Sequence, residues 1–267
     1  MTIAARKAAL MQRVRDYGGP INEPAVLAQF LAQVMHESGN LRYVREIWGP
    51  TKAQARYEGR KDLGNTQPGD GKRFMGRDVI QVTGRSNYRQ LTAWVRKTFG
   101  KGPDFEAKPE LLESPEWLGI GAIWYFLTRK GLIDQARAGN IEMVTRLVNG
   151  GLNGYADRLR KYDAAALEIL GFMDVKSFQG AYGLVVDGIS GPKTRAAMHK
   201  ALSQVKEPPV SVTRPAPRVN AANKAKDAAA TAAGGAAGAG VVLALVAFGE
   251  SLWRGFVRFA DIITFWN

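Results

Sequence analysis

The sequence predicts a mainly α-helical main domain with at most a small β element, followed by a small helical module and a C-terminal hydrophobic helix. Several segments place apolar residues every three or four positions, as one face of a helix requires. Few segments alternate with period two, and the best candidate for a short strand is residues 79–82. The clearest helical stripe comprises Val26, Leu27, Phe30, Leu31 and Val34.

Glycine, proline and capping residues set the expected helix ends. Gly18-Gly19-Pro20 ends the first helix, and Asn22 with Pro24 begins the second, which Gly39-Asn40 ends. Ser114-Pro115 is expected to begin a central buried helix. The predicted helices are 3–16, 23–37, 86–99, 114–129, 140–149 and 155–171, with short helical pieces around 51–58.

The composition divides the chain into four parts. Residues 1–171 form the main domain, and 172–203 form the small helical module. Residues 204–227 are rich in proline, charge and small polar residues, which is typical of a linker. Residues 228–249 contain no charge and are followed by aromatic and arginine residues up to 267, so 228–267 are predicted to span or lie on a membrane. The alternative is a flexible spacer followed by a helix that docks on a partner.

Charge and residue content exclude several classes of function. The 267 residues include 37 basic and 24 acidic residues, a net charge of +13, which favours anionic partners. No zinc-finger or RNA-recognition signature is present, so we expect an acidic wall polymer and no nucleic acid. With no cysteine and two distant histidines, no metal site and no cofactor are predicted. The first nineteen residues lack an uninterrupted apolar region, so no N-terminal signal peptide is expected.

Residues 36–87 are too polar for a core element and are expected to line a cleft. They contain Glu37 and Glu46, and a pair of carboxyl groups is what hydrolysis of a glycosidic bond requires. In one continuous helix these residues would point to opposite faces, with a rise of ~13.5 Å between them. The break at Gly39-Asn40 allows the chain to fold back, although spacing alone does not show that the two carboxyls meet.

Two blocks of sequence carry a family resemblance. The first runs from His36 to Tyr88, HESGNLRYVREIWGP through GRDVIQVTGRSNY, and the second is TRLVNGGLNGYADRLRKY. Together they resemble family 19 glycoside hydrolases, and more narrowly the phage and bacterial lysozyme-like members of that chitinase family. The resemblance covers roughly residues 20–170. It implies a lysozyme-like bilobal α-helical catalytic domain. Apart from the resemblance, we expect the protein to be a monomer.

The resemblance also implies roles for individual residues. Glu37 matches the general acid, Glu46 the base that activates water, and Thr83 the hydroxyl residue that helps to position this water. Gln81 and Asn87 match polar residues that hold sugar in the cleft, and Asn149 and Arg158 match sites near it. Separately from the resemblance, the aromatic ring of Tyr43 is a candidate for stacking on a sugar, with a place in the core as the alternative. Because the family inverts the anomeric carbon, the two carboxyls should lie ~6.5–9.5 Å apart.

Local sequence suggests the protonation states of the two glutamates and the surroundings of three neighbouring residues. Glu37 ends an apolar helix, where partial burial would keep it protonated, while Glu46 follows Arg45 in a polar run that would favour its ionised form. Glu58 lies between arginines and is expected to be a structural ion-pair partner. His36 is expected to pack and hydrogen-bond. Asp78 departs from the family, which often has a small residue there, and would alter a subsite or point into solvent.

The 172–203 unit resembles a peptidoglycan-binding module of the three-helix type through FQGAYGLVVDGISGPKTRAAM. Its first helix is missing, or merged with the helix that ends near Gly171. The sequence therefore predicts a bacteriolytic, endolysin-type enzyme that cleaves β-1,4 bonds of peptidoglycan in the wall or periplasm and is phage- or prophage-encoded. The alternatives are a chitinase and a non-catalytic, membrane-tethered wall-binding or virion protein.

Overall fold

The computed structural model describes residues 1–205, which form eleven α-helices. Three 3-10 turns, Gly19–Asn22, Lys61–Leu63 and Pro109–Glu113, lie between them. The helices are α1 Ile3–Tyr17, α2 Pro24–Glu37, α3 Lys52–Ala55, α4 Asp70–Arg73, α5 Arg85–Phe99, α6 Ile120–Thr128, α7 Leu132–Arg137, α8 Ile141–Asn149, α9 Tyr155–Leu170, α10 Val175–Ala181 and α11 Pro192–Gln204. The predicted mainly α-helical fold is confirmed.

Helix α2 lies at the centre of the molecule. Twelve of its fourteen residues are buried, which explains why its sequence is apolar around most of its circumference. Pro24 occupies the first helical position, where its missing N–H is not needed. The helix packs most extensively against α9 and also contacts α7, α8 and α11. Any side chain at its C-terminal end is therefore held on a rigid support.

The prediction for the central buried helix was correct in its apolar run and wrong in its start. Helix α6 begins at Ile120, and Ser114 instead donates its hydroxyl to the carbonyl of Leu111 in a turn. The N-terminal amides of α6 are bonded by the carboxylate of Asp78, which lies about forty residues earlier in the chain. A cap from so distant a residue leaves no local sequence signal. The short helix α7 was not predicted.

The possible strand at 79–82 is not formed. Within the described chain, bridge pairing is limited to two isolated contacts, Arg45 with Arg77 and Arg77 with Val82. The backbones of Arg77 and Val82 exchange hydrogen bonds of 3.1 and 2.7 Å, so the residues between them form a tight loop. This loop, residues 76–83, lies against both α6 and the segment that contains Glu46.

Helices α10 and α11 are joined to the main domain through a common core. Both pack against α9, and α11 also contacts α2. Phe178, Met198 and Leu202 are fully buried in the same hydrophobic cluster as the side chains of α2. Arg195 of α11 forms an ion pair with Asp163 of α9, with a closest distance of 3.0 Å. The small unit therefore packs directly on α9, while the boundary between 171 and 172 remains a prediction.

None of the helices described up to residue 205 is long and apolar enough to cross a membrane. The predicted linker from 206 onwards and the predicted membrane segment 228–267 lie outside the described residues.

Candidate active site

The chain turns sharply between the two glutamates, as the helix geometry requires. Gly39, Asn40 and Leu41 have φ angles of 57°, 60° and 64°, so three successive residues adopt the left-handed conformation. This conformation is costly for a residue such as leucine. It is supported here by Ser38, whose hydroxyl accepts the N–H of Leu41 at 2.8 Å and donates to the carbonyl of Val34. The predicted helix break is confirmed.

Glu37 is the last residue of α2, and its carboxyl group is buried against a guanidinium. Arg158 of α9, 1% exposed, donates Nη2 to Oε1 of Glu37 and Nη1 to Oε1 of Gln33 at 2.5 Å. Gln33 in turn donates to the hydroxyl of Thr145 at 3.3 Å. The predicted burial of Glu37 at the end of an apolar helix is confirmed, and its buried partner is the guanidinium of Arg158, which was not predicted.

Arg158 also joins Glu37 to the second block of sequence. Its Nε donates to the carbonyl of Asn153 at 3.3 Å, and the Asn149 side-chain amide donates to the same carbonyl at 3.2 Å. Asn149 ends α8 and is 2% exposed. The structure thus brings Glu37, Arg158 and Asn149 into one cluster, with α2, α8 and α9 each contributing a residue.

His36 supports this cluster from outside. Its Nδ1 lies 2.8 Å from Oδ2 of Asp157, the residue before Arg158. Gly154 lies so close that a Cβ atom there would be 2.2 Å from the His36 ring, and its φ of 69° also favours glycine. Burial lowers the pKa of His36 below its usual value. The prediction that His36 packs and forms a hydrogen bond is confirmed.

Glu46 belongs to a second cluster, which is built around the backbone of Gly76. The N–H of Glu46 donates to the carbonyl of Gly76 at 2.8 Å, and the N–H of Gly76 donates to Oε2 of Glu46 at 3.0 Å. The hydroxyl of Tyr57 donates to Oε1 at 3.4 Å. The carboxyl group is therefore fixed by a main-chain partner thirty residues away.

Burial raises the pKa of Glu46 above its usual value, although the hydrogen bonds from Gly76 and Tyr57 oppose this shift. The prediction that the surroundings of Glu46 favour its ionised form is therefore wrong. Arg45 does not supply such surroundings, because its guanidinium lies 3.5 Å from Glu113. Successive residues of an extended segment point in opposite directions, so a neighbour in sequence need not be a neighbour in space.

Thr83 and Gln81 lie beside the same glycine. A Cβ atom on Gly76 would be 2.7 Å from Oε1 of Gln81 and 3.2 Å from Oγ1 of Thr83. The hydroxyl of Thr83 donates to the carbonyl of Gln81 at 2.9 Å, and Asn87 donates to the carbonyl of Thr83 at 2.7 Å. Glu46, Gln81, Thr83 and Asn87 therefore form the second cluster, and all are at most 7% exposed.

The remaining predicted residues have diverse surroundings. Tyr43, half-buried in the connecting segment, has the guanidinium of Arg42 5.4 Å from its ring. Glu58 has the structural role predicted, but through the N–H groups of Gly69 and Gly71, to which it bonds at 2.6 and 2.8 Å. Asp78 is fully buried, so the alternative in which it points into solvent is wrong.

Within the described residues, no hydrogen bond links the Glu37 cluster to the Glu46 cluster, and no group of acidic and histidine residues could hold a metal ion. The predicted separation of the two carboxyls remains a prediction. Sequence reasoning missed the ion pair between Glu37 and Arg158, the role of the Gly76 amide and the position of Asp78. For the ion pair, the available signal was the family resemblance, which places Arg158 near the cleft.

Comparison with known proteins places the chain in a family. A glycosyl hydrolase family 19 domain-containing protein from Haemophilus influenzae is 32% identical over 165 residues, which cover 51% of this chain and 76% of the relative. A peptidoglycan binding domain model matches residues 174–198. The structure of chitinase C from Streptomyces griseus is 23% identical with a TM-score of 0.48, and that of a chitinase C mutant is 22% identical with a TM-score of 0.47. Each match covers 62% of this chain and 69% of the chitinase chain. The chain belongs to glycosyl hydrolase family 19 and is a glycoside hydrolase.

Proposed function

We propose that the enzyme hydrolyses β-1,4 bonds between amino sugars of bacterial peptidoglycan in one step, with inversion at the anomeric carbon. The observation that carries this proposal is the grouping of Glu46, Gln81 and Thr83 around Gly76, because it places a carboxylate, an amide and a hydroxyl beside one another. Such a group can hold a water molecule and accept its proton. The match at residues 174–198 supports peptidoglycan as the polymer.

Glu37 is the proposed general acid. Its Oε1 accepts a hydrogen bond from Arg158, so Oε2 is the oxygen proposed to deliver the proton. In the reaction this proton passes to the oxygen of the leaving sugar as the glycosidic bond breaks. Since α2, α8 and α9 together fix the Glu37 cluster, little reorganisation would accompany the transfer.

Glu46 is the proposed general base. In its ionised form it takes a proton from water as the water oxygen bonds to the anomeric carbon from the opposite face. Its raised pKa makes the carboxylate a stronger base than an exposed glutamate. Thr83 and Gln81 would orient this water, and Asn87, Tyr43, Asn149 and Arg158 are proposed to hold the sugar chain or the residues that contact it.

The roles are tested by zymography on purified peptidoglycan with the wild type and Glu37→Gln. We expect clearing by the wild type and its loss in Glu37→Gln, because glutamine cannot donate the required proton. The substitution also leaves the buried Arg158 without its counter-charge, at a cost of roughly 3–5 kcal/mol, so folding of the variant must be checked by circular dichroism.

Glu168→Gln is the matched control for the zymogram. Glu168 forms an exposed ion pair with Lys7, so its substitution should leave clearing unchanged. Equal clearing by the wild type and by folded Glu37→Gln would refute the proposed acid. Mass spectrometry of the products then identifies the cleaved bond through its new reducing-end sugar, and a parallel assay on chitin tests that substrate.

The proposed site of action is the bacterial cell wall, with residues 228–267 as the proposed membrane contact. Expression with and without these residues, followed by membrane fractionation, tests that contact. Recovery of the full-length chain only in the soluble fraction would refute it.

A further inference from the structure

Asp78 connects the 76–83 loop to the start of α6. Its carboxylate accepts the N–H of Gly119 at 2.5 Å through Oδ1 and the N–H of Ala122 at 3.0 Å through Oδ2. The first amides of a helix have no partner within the helix, so these bonds satisfy groups that would otherwise be buried without one. The two N–H groups are held in place, since α6 is buried along most of its length.

Two unusual features of the backbone accompany this contact. Asp78 has a φ of 68°, a conformation that aspartate tolerates better than most residues with a side chain. Gly121 approaches so closely that a Cβ atom there would lie 2.7 Å from Oδ2 of Asp78 and 2.6 Å from a methyl group of Val82. The loop and the helix therefore meet at a distance that only glycine permits.

The main chain of Asp78 is bonded to Gln81, one of the two residues proposed to orient the water. Its carbonyl accepts the N–H of Gln81 at 3.2 Å and the Nε2 of the same side chain at 3.1 Å. With Nε2 engaged in this way, Oε1 of Gln81 is directed to Gly76 and lies beside the hydroxyl of Thr83. That hydroxyl donates to the carbonyl of Gln81. The positions of both polar groups thus depend on the residue that α6 fixes.

We propose that Asp78 is a positioning residue, which uses its bonds to the N-terminus of α6 to hold Gln81 and Thr83 in place beside Glu46. This inference rests on the roles proposed above for Gln81 and Thr83. It explains why a charged side chain is fully buried in a loop next to the candidate site. Removing the carboxylate would free the loop from α6 and leave Glu46 itself intact.

The test compares Asp78→Asn and Asp78→Gly with the wild type in the full chain, on soluble N-acetylated amino-sugar oligomers. Asparagine presents an NH₂ group where an acceptor is needed. Glycine also removes the carboxylate but adopts a positive φ without strain, so this variant should fold. We expect kcat to fall about tenfold or more in both variants, with a smaller change in KM, because small displacements of positioned groups can cost up to about a hundredfold in rate.

A double-mutant cycle with Thr83→Ala separates positioning from a general loss of stability. If Asp78 acts through the loop, its effect on kcat should be smaller in the Thr83→Ala background, where only the part that acts through Gln81 remains. Asp163→Asn is the control, since it breaks a largely buried ion pair on α9 and should lower the melting temperature without lowering kcat. Wild-type kcat in folded Asp78→Gly, or additive effects in the cycle, would overturn the proposal. Unchanged kcat in Thr83→Ala alone would instead refute the proposed role of Thr83.

Discussion

At the scale of single residues, the two candidate carboxyls are distinguished by the partners that fold around them. Glu37 shares a buried contact with the guanidinium of Arg158, whereas Glu46 is bonded by a neutral backbone amide and a phenol. Desolvating an ion pair is costly, and the geometry must compensate. Arg158 achieves this by directing its donors to Gln33, Glu37 and Asn153, so that little of its hydrogen-bonding capacity is lost.

The raised pKa of Glu46 predicts the acid side of the pH profile. As the pH falls through this pKa, Glu46 gains a proton and can no longer accept one from water. We therefore expect kcat/KM to decline at a higher pH than the ordinary glutamate value of about 4.3 would give. The measurement is kcat/KM against pH on a soluble oligomer, in buffers of constant ionic strength.

Tyr57→Phe is the comparison variant for this profile. It removes a donor that favours the ionised carboxylate, so the acid limb should move to a slightly higher pH. The shift should be small because the donor lies 3.4 Å away. An acid limb at or below the ordinary value in the wild type would contradict the assignment of Glu46 as the base.

At the scale of secondary structure, prediction succeeded where the signal is local. Helix α2 could be placed to within a residue because its stripe, its proline and its terminal glycine lie within the segment itself. The start of α6 was missed because its cap is Asp78, and the environment of Glu46 was missed because its partner is Gly76. Both depend on contacts that form only when distant segments meet. Site residues were found from motif resemblance, and their partners required the fold.

Because α10 and α11 pack on α9, we predict that the small C-terminal unit unfolds together with the main domain. Met198 of α11 is fully buried in the core that also contains α2. Met198→Ala should therefore lower the free energy of unfolding by about 2–5 kcal/mol through lost burial and a cavity. In calorimetry the melting of residues 1–205 should remain one transition that shifts as a whole.

Lys193→Ala, at an exposed position on the same helix, is the matched control and should leave the transition within about 0.5 kcal/mol of the wild type. Two separate transitions, of which Met198→Ala moves only one, would show that residues 172–203 fold independently. The predicted boundary at 171 would then be a true domain boundary.

At the scale of the whole molecule, the net charge and the position of α10 and α11 would both affect how a wall polymer binds. The net charge of +13 should attract an anionic wall polymer, whereas neutral amino-sugar oligomers should not sense it. Because α9 carries Arg158 and also supports α11, a wall strand bound at α10 and α11 would lie at a fixed position relative to the Glu37 cluster. If the unit binds the wall as proposed, it would orient the substrate as well as retain the enzyme.

This charge predicts a salt dependence that separates the two candidate polymers. Raising the ionic strength from about 0.1 to 1 M shortens the screening length from about 10 to 3 Å. Binding to purified peptidoglycan should therefore weaken several-fold, while kcat/KM on neutral oligomers should change little. Both are measured with one enzyme preparation, by sedimentation with the wall and by product formation. Equal salt sensitivity with peptidoglycan and with uncharged chitin would show that electrostatic attraction does not select the wall, and would leave the α10–α11 surface as its remaining determinant.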